Sequence, residues 1–120
     1  MTELAKADLA NVEYVSLQDI ADQHNVSAKY LSQLAGSLKE AQLIISKEGK
    51  NGGYHISTSP HKITLRDIVE AIDGPVALVR CMADEHHCPA ETTCASKPVW
   101  VSVKKEMYDL LQQKTLAELI

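Results

Sequence analysis

The chain contains no phenylalanine and a single tryptophan, Trp100. Without large aromatic rings, its core has to be built from Leu, Ile, Val and Ala, a composition that suits helices packed on helices. No apolar run approaches the ~20 residues that a bilayer-spanning helix requires, and the first residues lack the charged-then-apolar pattern of a secretory signal. A membrane partner is therefore not expected. A cytoplasmic location is, and there thiols stay reduced. Cysteine is also scarce, with three in all, at positions 81, 88 and 94. An odd number excludes full internal pairing, and a chain of this length buries roughly two thirds of its unfolded surface without disulfide staples. Clustered reduced cysteines more often bind metal or respond to redox state. No phosphate-binding glycine loop or paired-carboxylate signature occurs. His87 beside Cys88 does not make a catalytic pair, because adjacent residues cannot orient each other and no third group is evident. No enzyme is expected.

Positive charge is short overall, with a formal net charge of −4. The deficit is uneven. Residues 27–66 hold Lys29, Lys39, Lys47, Lys50, Lys62 and Arg66 against Glu40 and Glu48, a local excess of four positive charges between acidic flanks. A basic middle in an acidic chain points to a polyanionic partner. The plainer alternative is a solvated face with scattered lysines.

The apolar spacing places the elements. Leu4, Ala5, Leu9 and Ala10 sit at helical intervals in TELAKADLAN, and the face begins almost at Met1. In SLQDIADQHN, Ser16 is a candidate cap with Asp19 three residues on, Leu17, Ile20 and Ala21 form one stripe, and Asn25 suits a left-handed stop. Ser27 then caps AKYLSQLAGSLKEAQL, whose Tyr30, Leu31, Leu34, Leu38 and Ala41 are expected to face inward. Two helices with about three residues between them, the second capped by Ser, predict a helix-turn-helix. LIISKEGKNGGYHIST predicts a hairpin, with Asn51, Gly52 and Gly53 accepting positive φ at its turn. A basic hairpin directly after a helix-turn-helix is the layout of a winged helix. The expected partner is double-stranded DNA. Ser27, Lys29, Ser32 and Gln33 would read the major groove from the second helix, and Lys39, Lys47, Lys50 and Asn51 would reach the backbone or minor groove.

Beyond the wing, Thr64 caps LRDIVEAID, with Leu65, Ile68, Val69 and Ile72 inward and Gly74-Pro75 ending it. Lys97 to Gln113 is a long helical pattern with Val99, Val103, Met107, Leu110 and Leu111 in a stripe flanked by Trp100. Such a stripe outside a compact module needs something to bury against. A second copy is the economical choice, since dimers match palindromic half-sites about 34–36 Å apart. A homodimer through Trp100, Val103, Met107, Leu110 and Leu111 is expected. Thr115 with Glu118 would cap a last turn that Leu116 and Leu119 pack down. The expected fold is mainly α with a small β-hairpin wing. The expected organisation is a winged helix-turn-helix over residues 1–74, a cysteine-bearing loop over 75–95 and a dimerisation helix with its tail over 96–120.

Taken in order, VSLQDIADQHNVSAKYLSQL, LIISKEGKNGGYHIS, ITLRDIVEAIDGP, three cysteines, PVW and TLAEL resemble the Rrf-two family of bacterial winged-helix transcriptional regulators, over nearly the whole chain. The resemblance implies a homodimeric transcription factor whose DNA affinity is set by an iron–sulfur cluster, sensing redox state, nitric oxide or iron and cluster supply. Cys81, Cys88 and Cys94 would be its ligands, with a 2Fe–2S cluster favoured over 4Fe–4S. Soft thiolates suit such a centre. His87 or His86 are the nearest candidates for a fourth ligand, with Asp84, Glu85, Glu91 or a partner residue such as Asp8 as alternatives. A structural zinc on three Cys and one His, a redox disulfide, or simply free thiols remain open, as does a redox- or zinc-binding module without cluster-controlled DNA binding. The chain departs from the family pattern in several places. Members usually begin further upstream, with a basic segment leading into the first helix. Glu48 stands where the wing often has Arg, and Ser32 where the best-known cluster regulators have Glu. The C-x6-C-x5-C spacing is one residue longer than the commonest, and Lys97 occupies a position that is a His ligand in some members.

Overall fold

A computed structural model of the chain describes residues 1–75 and 95–120. The described residues form five α-helices, one antiparallel hairpin and a closing 3-10 turn. Helix α1 spans Thr2–Leu9, α2 Leu17–His24 and α3 Ala28–Glu40. The strands β1, Ile44–Lys47, and β2, Gly53–Ile56, follow, then α4, Leu65–Asp73, and α5, Lys97–Gln113. The closing turn is Leu116–Leu119.

Local chemistry sets these boundaries. The Ser16 hydroxyl oxygen accepts from the N–H groups of Gln18 (3.1 Å) and Asp19 (3.4 Å), satisfying donors that α2 would otherwise leave unpaired. Asn25 ends α2 in the left-handed region, at φ 54° and ψ 46°, as its type allows. Two residues later Ser27 accepts from the N–H of Tyr30 at 3.3 Å and starts α3. At α4 the capping box is reciprocal. The Thr64 hydroxyl accepts from Asp67 N–H at 3.1 Å, and the Asp67 carboxylate accepts from Thr64 N–H at 3.0 Å.

The core is aliphatic, as the lack of Phe requires. Leu4, Ala5, Ala35, Leu38, Ile44, Ile56, Ile63 and Leu116 are buried in one cluster. The chain's two ends therefore meet in the centre, with α1 supplying Leu4 and Ala5 and the closing turn supplying Leu116. Backbone bonds seat that turn beneath the wing. Leu116 N–H donates to Ile63 C=O (2.8 Å), Ala117 N–H to Pro60 C=O (3.2 Å) and Leu65 N–H to Lys114 C=O (2.9 Å). Only one of the two leucines expected to pack this turn does so, since Leu119 is 53% exposed. Along α4, Leu65, Ile68 and Val69 are half-buried and Ile72 is exposed. They line an apolar groove of about 440 Å³ that also takes in Leu17 and Ile20 of α2, Leu34 of α3 and Leu111 of α5. No helix among the described residues is long and apolar enough to cross a membrane.

Candidate nucleic-acid interface

The three residues between α2 and α3 turn the chain sharply, because Asn25 is left-handed while Ser27 is extended at φ −67°, ψ 129°. This turn leaves the N-terminal half of α3 open. Ser27, Lys29, Ser32 and Gln33 are all exposed there, while Ala35 and Leu38 are buried and Leu31 and Leu34 half-buried on the opposite side. Tyr30 corrects the inward face expected for it. It is 56% exposed and shares the outward row with Gln33. An apolar-looking ring beside Leu31 suggested a core residue, but its polar hydroxyl lets it stand in water. Tyr30 is thus a member of this surface that sequence reasoning missed. The helix turn of about 100° per residue between Tyr30 and Leu31 was the signal that could have found it.

Lys39, at the far end of α3, is exposed, as are Lys47, Lys50 and Asn51 in the hairpin. The strands pair Ile44 with Ile56, Ile45 with His55, Ser46 with Tyr54 and Lys47 with Gly53. Positive φ falls at Gly49 (106°) and Gly53 (144°), which corrects the expectation for Asn51 and Gly52. Gly52 is needed for a different reason, since a Cβ there would collide with the carbonyl oxygen of Lys47. The second strand is clamped from outside near the turn. Val15, just before α2, exchanges both backbone hydrogen bonds with Tyr54, at 2.9 and 2.8 Å. Lys47 Nζ lies 5.5 Å from the centre of the Tyr14 ring. The hairpin is therefore tied to the helix-turn-helix, and the exposed lysines extend the surface begun by α3.

The residues expected to form a dimer contact share one wide stripe of α5 but differ in exposure. Trp100, Met107 and Leu111 are half-buried, and α5 meets α4 where Arg66 sits over the Tyr108 ring (4.6 Å) and donates to Gln112 (3.4 Å). Val103 and Leu110, along the other edge, are 40% and 60% exposed, together with Val99. Cys81, Cys88 and Cys94, with His86 and His87, lie outside the described residues. Among the described residues, no group of three or more His, Cys, Asp or Glu side chains could hold a metal ion.

A family model described as Rrf2, iron-dependent transcriptional regulator, matches residues 1–120. The chain belongs to the Rrf2 family. This Rrf2 chain is 35% identical over 106 residues to Protein rrf2 of Nitratidesulfovibrio vulgaris, covering 88% of the chain and 71% of that protein. It is 31% identical to the HTH-type transcriptional regulator IscR of Vibrio campbellii, covering 88% of the chain and 62% of that regulator, so it spans less than two thirds of that relative's length. The structure of CymR, the global cysteine regulator of B. subtilis, superposes with a TM-score of 0.73 at 32% identity, covering 98% of this chain and 84% of that one. The helical fold with its two-stranded wing is thus that of winged-helix regulators, and IscR and CymR are named as transcriptional regulators, which are not enzymes.

Proposed function

We propose that this Rrf2-family regulator binds a double-stranded DNA operator as a homodimer, and that an iron–sulfur cluster on Cys81, Cys88 and Cys94 controls its affinity. The observation that carries the DNA reading is the exposed row Lys29, Tyr30, Ser32 and Gln33 on a capped helix, continued by the exposed lysines of the wing. On this reading the free N–H groups at the start of α3 favour a phosphate, Gln33 pairs with an adenine edge, and Lys39, Lys47 and Lys50 hold the backbone. The exposed side of α5, with Val99, Val103 and Leu110, meets the same side of a second copy.

The donor set fits a cluster. Three thiolates are the soft ligands that iron–sulfur centres take, and three of them leave one position for a different ligand. When bound, the cluster would supply iron and sulfide that oxygen or nitric oxide can attack, and iron scarcity would keep it from assembling. The chain's own residues supply the connection. The cysteines lie between α4 and α5 in sequence, and Arg66 of α4 holds Tyr108 and Gln112 of α5.

Two measurements test the reading. Gln33→Ala is expected to weaken binding to a selected operator by about 1–3 kcal/mol while leaving non-specific binding unchanged. Unchanged sequence preference in that variant would count against α3 as the reading helix. Anaerobic reconstitution of the unmodified protein and of Cys88→Ala, with iron and sulfide assays, tests the cluster. Uptake of zinc alone, or equal iron and sulfide in both proteins, would remove it.

A further inference from the structure

The seam between α1 and the wing contains a polar pair where an aliphatic one would seal it equally well. His55 of β2 places Nε2 at 3.3 Å from Oδ1 of Asp8 on α1, and both side chains are more than half buried. The imidazole Nδ1 is buried and has no hydrogen-bond partner among the described residues. Nε2 is the ring nitrogen that faces the carboxylate. Two aliphatic side chains here would leave no polar atom to satisfy. The Asp–His pair instead links one atom of β2 to one atom of α1 at short range.

The contact continues toward DNA. Strand register puts His55 and Lys47 on one face of the hairpin as diagonal neighbours. Tyr14 lies over that face, its ring tilted at 54° with its centre 6.0 Å from that of His55, and Lys47 Nζ is 5.5 Å from the same ring. Asp8, His55, Tyr14 and Lys47 thus form a continuous row from α1 to a wing lysine. Beside it, Gly53 packs so tightly on the Val15 carbonyl that a Cβ would collide. The hairpin has only two strands, and such a ribbon twists readily unless something holds it.

We propose that Asp8 and His55 form a latch that fixes the angle of the wing, so that Lys47 and Lys50 meet DNA phosphates while α3 occupies the major groove. This rests on the DNA-binding reading above, and both residues are positioning residues that touch no nucleic acid themselves. The latch predicts a specific electrostatic signature. Each phosphate contact contributes about −0.9 to the slope of log affinity against log salt. Losing two per wing therefore shrinks the loss of affinity between about 50 and 200 mM salt by roughly tenfold for each wing engaged.

The test is anisotropy of a labelled duplex of mixed sequence, titrated across that salt range with the full chain. His55→Leu and Asp8→Ala are expected to lose as much slope as Lys47→Ala/Lys50→Ala, and adding His55→Leu to the double lysine variant should change nothing further. His55→Gln keeps a donor near the Nε2 position and should keep the slope. His55→Glu sets two carboxylates face to face and should lose it. Thermal melts establish that each variant is folded; if the truncations are not, the Gln and Glu variants decide. A lysine variant that loses slope while a folded His55→Leu or His55→Glu keeps it would overturn the latch and leave the DNA reading standing. Lysine variants that bind with an unchanged slope would overturn the wing contact itself, and the latch with it.

Discussion

Leu116 anchors the turn after α5 in the core beneath the helix-turn-helix and hairpin, and its removal can be worked through. Its side chain is 0% exposed and packs in the central cluster with Leu4, Ala5 and Ile63. Its N–H also donates to Ile63. Leu116→Ala shortens a buried isobutyl side chain to methyl, a loss of three carbons worth roughly 2–3 kcal/mol in transfer from water, and adds a cavity term that brings measured Leu→Ala losses to roughly 2.7–5 kcal/mol. The apolar groove decides where in that range the value falls. Leu116 lines it, so the surroundings have room to relax, and the lower end, about 3 kcal/mol, is expected. That is a large share of the ~5–15 kcal/mol that holds a domain together. Leu119→Ala is the internal control, because a leucine that is 53% exposed should lose less than about 0.5 kcal/mol. Urea unfolding followed by circular dichroism gives both values from the midpoint shift at constant slope. Several protein concentrations are needed, because assembly would make the midpoint concentration-dependent. A loss below about 1 kcal/mol for Leu116→Ala, or equal losses for the two leucines, would refute the anchoring role.

Three further outcomes follow from particular contacts. Gly53→Ala should cost more than about 1 kcal/mol, because φ is 144° and the new Cβ meets the Val15 carbonyl, whereas Gly49→Ala, at φ 106° in open space, should cost less in the same urea assay. Val103→Glu puts a charge on the exposed side of α5, so light scattering should report a folded monomer; a persisting dimer would place the interface elsewhere. The Thr115 N–H donated to Glu118 (2.7 Å), with Lys114 Nζ at 3.6 Å, holds the Glu118 carboxyl below the usual carboxylate range. A lowered folded pKa gives stability that is present above the unfolded value, about 4.3, and is lost as pH falls through the folded one. The melting temperature of Glu118→Gln should therefore lie below that of the unmodified chain at neutral pH and converge with it in acid; a gap that widens in acid would contradict this.

The helix-turn-helix was legible because its punctuation is local. Ser16, Ser27 and Thr64 each accept from backbone N–H groups two or three residues away and Asn25 turns left-handed by its own type, so side-chain type and position were enough to place α2, α3 and α4. The turn residues of the wing were less legible. Gly53 takes positive φ as expected, packed on the Val15 carbonyl, whereas Asn51 and Gly52 do not and Gly49 takes it instead. Tyr30 was misplaced because an aromatic ring next to Leu31 was weighed by type rather than by its angle around the helix. The Asp8–His55 contact had no signal in the sequence at all. It joins residues far apart in the chain, across a seam that forms only once α1 and β2 have packed.

The α5 stripe illustrates a different limit, and it bears on how control would work. Leu110 and Leu111 are adjacent, so they point about 100° apart and take opposite edges of one wide stripe. Trp100, Met107 and Leu111 are half-buried, while Leu110, Val103 and Val99, along the other edge, are exposed. Such a stripe can pack on its own domain along one edge and on a second copy along the other. In this chain the inner side is further tied by Arg66 to Tyr108 and Gln112, and the tail by Leu116 to Ile63. A change in the segment between α4 and α5 would then not release α5 as a free lever. On the homodimer reading, it would have to move α4, α5 and the attached winged helix together, pivoting against a second copy through Val99, Val103 and Leu110. Rigid-body rotation about a subunit interface changes the separation of two reading helices without unfolding either one. On the cluster reading, the cysteines need to bias only that pivot, and the inner contacts of α5 should stay intact in both states.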